Sequence, residues 1–331
     1  MNEPAISPAG EGTGEAWPSL VTGGAGFIGS NLVDALVAQG GGVTVIDDLS
    51  TGRVGHVDRA LARGAVLVEA DVRDADRVAD VVATSAAHTV FHLAAQVDVR
   101  RAVAEPAADA RVNVEGTINV LSAAARSGVQ RVVFVSTGGA IYGEAESVPT
   151  PESAPRRPLS PYGQGKLAAE GYCAVFSRLH DLSTVSLRLA NVYGPRQDPL
   201  GEGGVIAILC GRALSGARPT VFGDGEQTRD FIHVSDAVGA MLRAADSGVE
   251  GPINVGTGRE TSVLDLVEGL RPHAAGSWTP VHEEARAGEV RRSALDVNRA
   301  GTVLGWHAQI QLTEGLEHTL ADLRDTASAG R

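Results

Sequence analysis

A tyrosine stands four residues before the only lysine of the chain, Tyr162 and Lys166. Every other cation in the Lys+Arg total of 28 is an arginine. Arginine cannot replace lysine where a compact ammonium must sit beside a hydroxyl and help lower its pKa. On a helix, positions i and i+4 share a face, so phenol and ammonium can enter one pocket. Ser160-Pro161 just before them is a helix start, an N-cap followed by a residue whose missing N–H costs nothing at the first position. Tyr162 then falls in the first turn, where the helix dipole favours a phenolate. A phenolate beside an ammonium is a general base.

A second chemical device lies near residue 20. In Leu20-Val21-Thr22-Gly23-Gly24-Ala25-Gly26-Phe27-Ile28-Gly29 an apolar strand runs into a glycine turn and then an apolar helical face, Leu32, Val33, Leu36 and Val37. Glycines at this spacing let the backbone turn sharply and approach a pyrophosphate at a helix N-terminus, where N–H groups and the dipole favour anions. The next strand, Val43–Ile46, ends at Asp47-Asp48, about twenty residues on, where an acid grips a ribose 2′-hydroxyl. Either aspartate can serve; Asp47, directly at the strand end, is the first choice. A carboxylate there repels a 2′-phosphate, so NAD is expected rather than NADP. Gly163 and Gly165 each weaken their helix by roughly 1 kcal/mol against alanine. They are expected to leave room for a flat group such as the nicotinamide ring.

The strands that position these groups alternate with helical stretches. Val66-Leu67-Val68 leads to Asp71-Val72, then come Thr89 to Ala95 and Val132 to Thr137. That alternation predicts an α/β fold with a doubly wound parallel sheet of the Rossmann type. Ligands in such sheets bind beyond the carboxyl ends of the strands, where Asp47, Asp71, Ala94 and Thr137 fall. His92, at the end of an apolar strand, reads as structural. Residues 1–16 read as a disordered tail and not a signal peptide. Residues 17–187 read as the NAD-binding domain, with returning segments near 230–257 (Phe231 to Val234 and Ile253 to Val255), and 188–331 mainly as a smaller substrate lobe. Trp17-Pro18-Ser19 stand where the first strand should be apolar.

Composition excludes several classes. A net charge of −12 argues against nucleic-acid or membrane-surface binding. No stretch approaches the 18 or so apolar residues of a membrane span. Cys173 and Cys210 are too few for a disulfide framework and lack metal-ligand spacing, so no metal is expected and a reducing, cytoplasmic setting is.

TGGAGFIGS, the Asp47-Asp48-Leu49-Ser50-Thr51-Gly52 stretch, HLAA and Tyr162-x-x-x-Lys166 together resemble the extended short-chain dehydrogenase/reductase family. Arg188 to Gln197 (RLANVYGPRQ) and Gln227 to Val234 (QTRDFIHV) resemble its nucleotide-sugar-modifying branch, and the likeness spans about residues 19 to 325. It implies an NAD-dependent epimerase that inverts C4 of a UDP-hexose, UDP-glucose or UDP-galactose, through a transient 4-keto sugar. Tyr162 is then the base, and Lys166 holds ribose hydroxyls and lowers the tyrosine pKa. The cofactor contacts implied are Gly23, Gly26, Phe27, Ile28, Gly29, Asp47, Asp48, Ser50, Thr51, Gly52, Asp71, Val72, Leu93, Ala94 and Ala95. For the UDP-sugar they are Asn191 by the diphosphate-sugar region, Phe222 by uracil, Arg229 and Arg286 clamping the diphosphate, and Glu289, longer than the family's usual aspartate, on the ribose. A hydroxyl on the preceding strand bonds to the sugar O4. Counting from Tyr142-Gly143 puts it on Gly138, which has none; counting from the strand puts it on Thr137, with Ser136 in reserve.

Related dehydratases carry Asp-Glu after that threonine and decarboxylases carry Glu; Gly138-Gly139 can move no proton, which favours epimerisation. Asp198 stands where glucuronic-acid epimerases tend to carry arginine, which favours a neutral hexose. Ser293 matches the position that limits sugar size, and its smallness admits an N-acetylhexosamine. The helical stretches near 105–126 (Val114, Ile118, Leu121) and 162–180 (Leu167, Phe176) match the pair that builds a homodimer contact in the family. A non-catalytic NAD-binding relative would be expected to lack the tyrosine or the lysine.

Overall fold

The structure, a computed structural model, describes residues 17–200, 204–285 and 290–329. The expected tail, residues 1–16, and the two substrate candidates Arg286 and Glu289 lie outside them. Six strands form first: β1 (Ser19–Thr22), β2 (Val43–Asp47), β3 (Val66–Glu69), β4 (Thr89–His92), β5 (Arg131–Thr137) and β6 (Ser183–Leu189). With the Gly251–Val255 strand they make one seven-stranded parallel sheet, in the order Gly251–Val255, β6, β5, β4, β1, β2, β3. The order reverses between β1 and β4, and a crevice opens there at the carboxyl edge.

Alternation along the strands separates two apolar layers, because neighbouring residues face opposite sides of a sheet. Val21, Val45, Phe91 and Val133 pack on one side, with Leu32, Val33 and Leu36 of the Phe27–Ala38 helix and Met241 of the Val234–Ala245 helix. Leu20, Ile46, Val90 and Val132 pack on the other, with Val78, Val120, Leu121 and Cys173 from three further helices. Leu121, expected on an outer helical face, is fully buried in this second layer. A third cluster, including Ile206, Leu209, Leu266 and Leu320, is the core of the smaller lobe.

One local result differs from the sequence expectation. Phe231–His233 does not return to the large sheet; it pairs with Asn191–Tyr193 in a two-stranded sheet. Gly251–Val255, which includes the other segment expected to return, takes the place beside β6. The polar start of β1 also acquires a reason. Trp17 stacks on His88, with ring centroids 5.1 Å apart, and Pro18 O accepts from His88 N at 2.8 Å. The entry to the first strand is thus fixed by an aromatic contact and a backbone hydrogen bond.

Candidate active site

The glycine turn follows β1 at the reversal point. Gly23 has φ +70°, and a Cβ on it would lie 2.7 Å from Ala94 N, so only glycine lets β1's exit lie against Leu93-Ala94 after β4. A Cβ on Gly29 would meet Gly23 O at 2.1 Å, which fixes the helix close to the turn. Gly26 is the N-cap of Phe27–Ala38, and no side chain caps that helix and no acid sits in its first turn. An uncapped helix start of twelve residues with this cradle suits a pyrophosphate. Asp47 lies beside it, buried, accepting from Ala25 N and Leu49 N at 2.9 Å each. Burial raises its pKa, and those N–H bonds oppose the rise. A Cβ on Gly52 would come within 2.6 Å of Asp47 Oδ1, so glycine lets the following loop close over the carboxylate. Asp48 is exposed and caps Ser50 through its N–H and hydroxyl; Thr51 is exposed. Asp71 accepts from Arg73, which lowers its pKa, and Val72 is buried against Gly116.

His92 is locked in the wall behind Leu93–Ala95. Thr117 Oγ1 donates to Asn113 O at 2.8 Å, so it accepts from His92 Nε2–H at 3.0 Å, and His92 Nδ1 accepts from Thr22 Oγ1 at 2.7 Å. Thr22 Oγ1 in turn accepts from Leu93 N and Ala94 N at 3.2 Å. Burial pushes the ring's pKa down to about 3, so it is a neutral structural histidine.

The Pro161–Leu179 helix presents the tyrosine and lysine. Ser160 accepts from Gly163 N at 3.1 Å and Pro161 occupies the first position, as the Ser-Pro pair predicts. Tyr162 is half-buried beside Thr137, at the end of β5. Burial pushes the phenol up to about 12, the Thr137 side chain pulls it down, and Asp109 adds to the rise. Within the protein's own charges burial therefore dominates, where the sequence had suggested a lowering by Lys166. Lys166 is buried, donates to Val135 O at 2.9 Å and lies 4.9 Å from the centre of the Phe134 ring. Burial pushes its pKa down to about 8, with Asp109 opposing.

The two helix glycines are not a cofactor slot. A Cβ on Gly163 would meet Ala140 O at 2.6 Å, and one on Gly165 would meet Asp109 Oδ2 at 3.2 Å. Protein, not a ligand, occupies the space they leave. Ser136 also points away from Tyr162: its hydroxyl donates to Glu170 at 2.6 Å. Glu170 is gripped by Arg188 Nε at 2.9 Å and Nη2 at 2.7 Å, and Arg188 Nη1 donates to the Tyr142 hydroxyl at 2.8 Å.

On the substrate side, Asn191 N donates to Asp230 O at 2.8 Å, and a Cβ on Gly139 would sit 3.4 Å from the Asn191 amide oxygen. Gly138 is covered by Leu295, whose Cδ1 would be 2.4 Å from any Cβ there. Phe222 ends a strand paired with Val281–Glu283, and Arg229 lies in a strand paired with Thr261–Ser262. Thr228 N donates to Arg291 O at 3.0 Å, so the chain carrying half-buried Ser293 runs from beside Arg229 to the end of β5. Asp198 is engaged by Arg53 at 3.0 Å. Its charge is compensated from the cofactor side, which weakens its use as a repellent for a uronic acid.

Sequence reasoning missed Asp109, Asn113, Glu170 and Asp230. Asp230 is the clearest case: its carboxylate accepts from Thr257 N at 2.8 Å, Gly258 N at 3.0 Å and Leu295 N at 3.2 Å, tying three segments around Gly138. Its position inside the QTRDFIHV stretch was the available signal. Among the described residues no group of three or more His, Cys, Asp or Glu is placed to hold a metal, and no helix is long and apolar enough to cross a membrane.

Residues 19–256 match the family described as NAD dependent epimerase/dehydratase. UDP-glucose 4-epimerase of Mycolicibacterium smegmatis is 44% identical over 309 residues, which cover 93% of this chain and 98% of that protein. The crystal structure of UDP-glucose 4-epimerase with UDP-glucose from Thermotoga maritima is similar at a TM-score of 0.90 and 44% identity, over 93% of this chain and 99% of that one. Thermus thermophilus UDP-glucose 4-epimerase in complex with NAD is similar at a TM-score of 0.85 and 38% identity, over 92% and 98%.

Proposed function

The chain belongs to the NAD dependent epimerase/dehydratase family, and from this we propose that it holds NAD and inverts C4 of a UDP-hexose. The observation that carries the reading is at the end of β5. Thr137 and Tyr162 meet there, with Lys166 one helical turn on, and Gly138-Gly139 supplies no acid or base. Gly138 could not supply one, because Leu295 fills the space. Elimination and decarboxylation need a further proton carrier; epimerisation does not.

The residues divide into cofactor and sugar groups. The Gly23–Gly29 turn with the N–H groups of Phe27 and Ile28 would hold the pyrophosphate, and Asp47 a ribose. Asp48, Ser50, Thr51 and Gly52 would border that ribose, Asp71 and Val72 the adenine, and Leu93 to Ala95 the crevice wall. NAD supplies the hydride acceptor for C4 and a positive charge that favours ionised Tyr162. Thr137 bonds to O4, Tyr162 takes its proton and returns it, and Lys166 keeps a positive charge beside the phenol and bonds to the cofactor ribose. Arg229 anchors the diphosphate, Asn191 the sugar-diphosphate junction and Phe222 the uracil. Ser293, small and half-buried, leaves room for an N-acetyl group, which keeps UDP-N-acetylglucosamine as a second substrate.

Assembly and setting follow the same reading. Ala107, Ala110, Val114 and Ile118 line an open apolar groove, and Tyr172 and Leu179 on the Pro161–Leu179 helix are exposed. A homodimer would cover them. Two buried thiols, Cys173 and Cys210, suit the cytoplasm.

The test offers UDP-glucose, UDP-galactose, UDP-glucuronic acid, UDP-N-acetylglucosamine and dTDP-glucose in turn and follows C4 by NMR. UDP-glucose and UDP-galactose should interconvert, and Tyr162→Phe should keep bound NAD and lose turnover. No inversion at C4 in any of them, or full turnover by Tyr162→Phe, would overturn the reading.

A further inference from the structure

We infer that Asp109 is the carboxylate that sets the working charge of the Tyr162–Lys166 pair, a positioning residue that fixes the pH range over which phenolate and ammonium coexist. The inference rests on the reading of these two side chains as base and partner. Asp109 lies in the short Pro106–Ala110 helix, two residues before a π-helical turn at Arg111–Glu115. A π turn widens the backbone locally and re-aims side chains. Here it turns Asn113 inward, where Asn113 Nδ2 donates to Asp109 Oδ1 at 3.0 Å and Gln96 N donates to Asn113 Oδ1 at 3.1 Å. Gln96 Nε2 donates to the same Asp109 Oδ1 at 3.0 Å. One carboxylate oxygen is thus used by two neutral amides. The other, Oδ2, faces Gly165, the residue directly before Lys166 and three after Tyr162, and a Cβ there would lie only 3.2 Å from it.

Among the described residues, each other ionisable group acting on the pair is already neutral or neutralised. From its own helix come Glu170, held by both Arg188 nitrogens, and Cys173, a thiol whose pKa burial pushes up to about 12. From β4 comes His92, neutral for the reasons above. Asp109 is 2% exposed. An asparagine would satisfy the same two amides through its oxygen, and would avoid burying an anion, which is unfavourable without a cation to face. An acid rather than an amide at this place is accounted for by the cation of Lys166, the residue next to Gly165. The Asp109 charge acts on both partners with one sign, favouring the ammonium and disfavouring the phenolate.

Removing the charge should shift both limbs of the pH–kcat profile to lower pH together. Asp109→Asn keeps the acceptor for Gln96 and Asn113, and Asp109→Ala does not, yet both should move the limbs by about one pH unit. Independently of turnover, the tyrosinate absorbance of Tyr162, read as the difference between each holoenzyme and its Tyr162→Phe counterpart, should titrate at lower pH in Asp109→Asn. Limbs and tyrosinate left in place while the rate falls, or variants that lose fold or NAD, would make Asp109 a framework residue and overturn the inference. Wild-type turnover and the inactivity of Tyr162→Phe report on the function separately.

Discussion

Glu170→Gln isolates a buried charge pair directly behind the site. Arg188 is fully buried and Glu170 nearly so, with side chains 0% and 7% exposed. Burial alone would lower the guanidinium's pKa, but the Glu170 carboxylate more than offsets it and holds the group charged. In Glu170→Gln the guanidinium keeps the Tyr142 hydroxyl at 2.8 Å and Glu152 O at 3.3 Å, but no anion. At an effective dielectric of about 20, a pair of charges about 4 Å apart interacts by roughly 4 kcal/mol. Breaking one side of a buried pair costs about 3–5 kcal/mol, a large part of a total stability of about 5–15 kcal/mol. Urea unfolding of the holoenzyme, followed by far-UV circular dichroism, should show a loss in that range. The double variant Glu170→Met with Arg188→Met, which removes both charges, should recover much of it. A Glu170→Gln protein within about 1 kcal/mol of wild type would refute the claim that this pair is desolvated and mutually dependent.

Gly138→Ala should cost about 1–3 kcal/mol, because the new methyl meets Leu295, itself 1% exposed. Combined with Leu295→Ala the two losses should sum to less than their parts in the same urea experiment; strict additivity would mean that the two residues do not touch. Acid should destabilise the protein through His92 and His233, whose folded pKa values lie at about 3 and about 4 against 6.5 for a free histidine. The unfolded chain takes up protons that the folded chain refuses, so stability present above pH 6.5 is lost as pH falls from there towards those values, by about 1.4 kcal/mol per pH unit for each ring. His92→Gln should flatten that dependence by about half, and an unaltered slope would contradict the assignment of a neutral buried ring.

Much of the site's frame was legible because its signals are local. The glycine turn, the Asp47 strand end and the Ser160-Pro161 cap each depend on residues a few positions apart, and the parallel sheet follows from repeated strand-helix spacing. What escaped depends on partners far along the chain. Glu170 can be understood only with Arg188 and Ser136, Asp109 only with Gln96 and Gly165, and Asp230 only with Thr257 and Leu295. Gly163 and Gly165 show the same limit from the other side. Their rarity in a helix was visible, but the atoms that need the space, Ala140 O and Asp109 Oδ2, come from other elements. Of the two segments expected to return to the sheet only one does, for a related reason: Phe231–His233 and Gly251–Val255 are both short and apolar, and only pairing with β6 distinguishes them.

The central claim is that one hydrogen leaves C4 of a UDP-hexose and returns to the same carbon, while Tyr162 handles the O4 proton. UDP-galactose carrying deuterium at C4, incubated with the holoenzyme in ordinary water, tests it most directly. The account predicts UDP-glucose with the deuterium still at C4, and a rate lowered by about a hundredfold or more in Tyr162→Phe. Deuterium lost to water, or a Tyr162→Phe protein as fast as wild type, would contradict it.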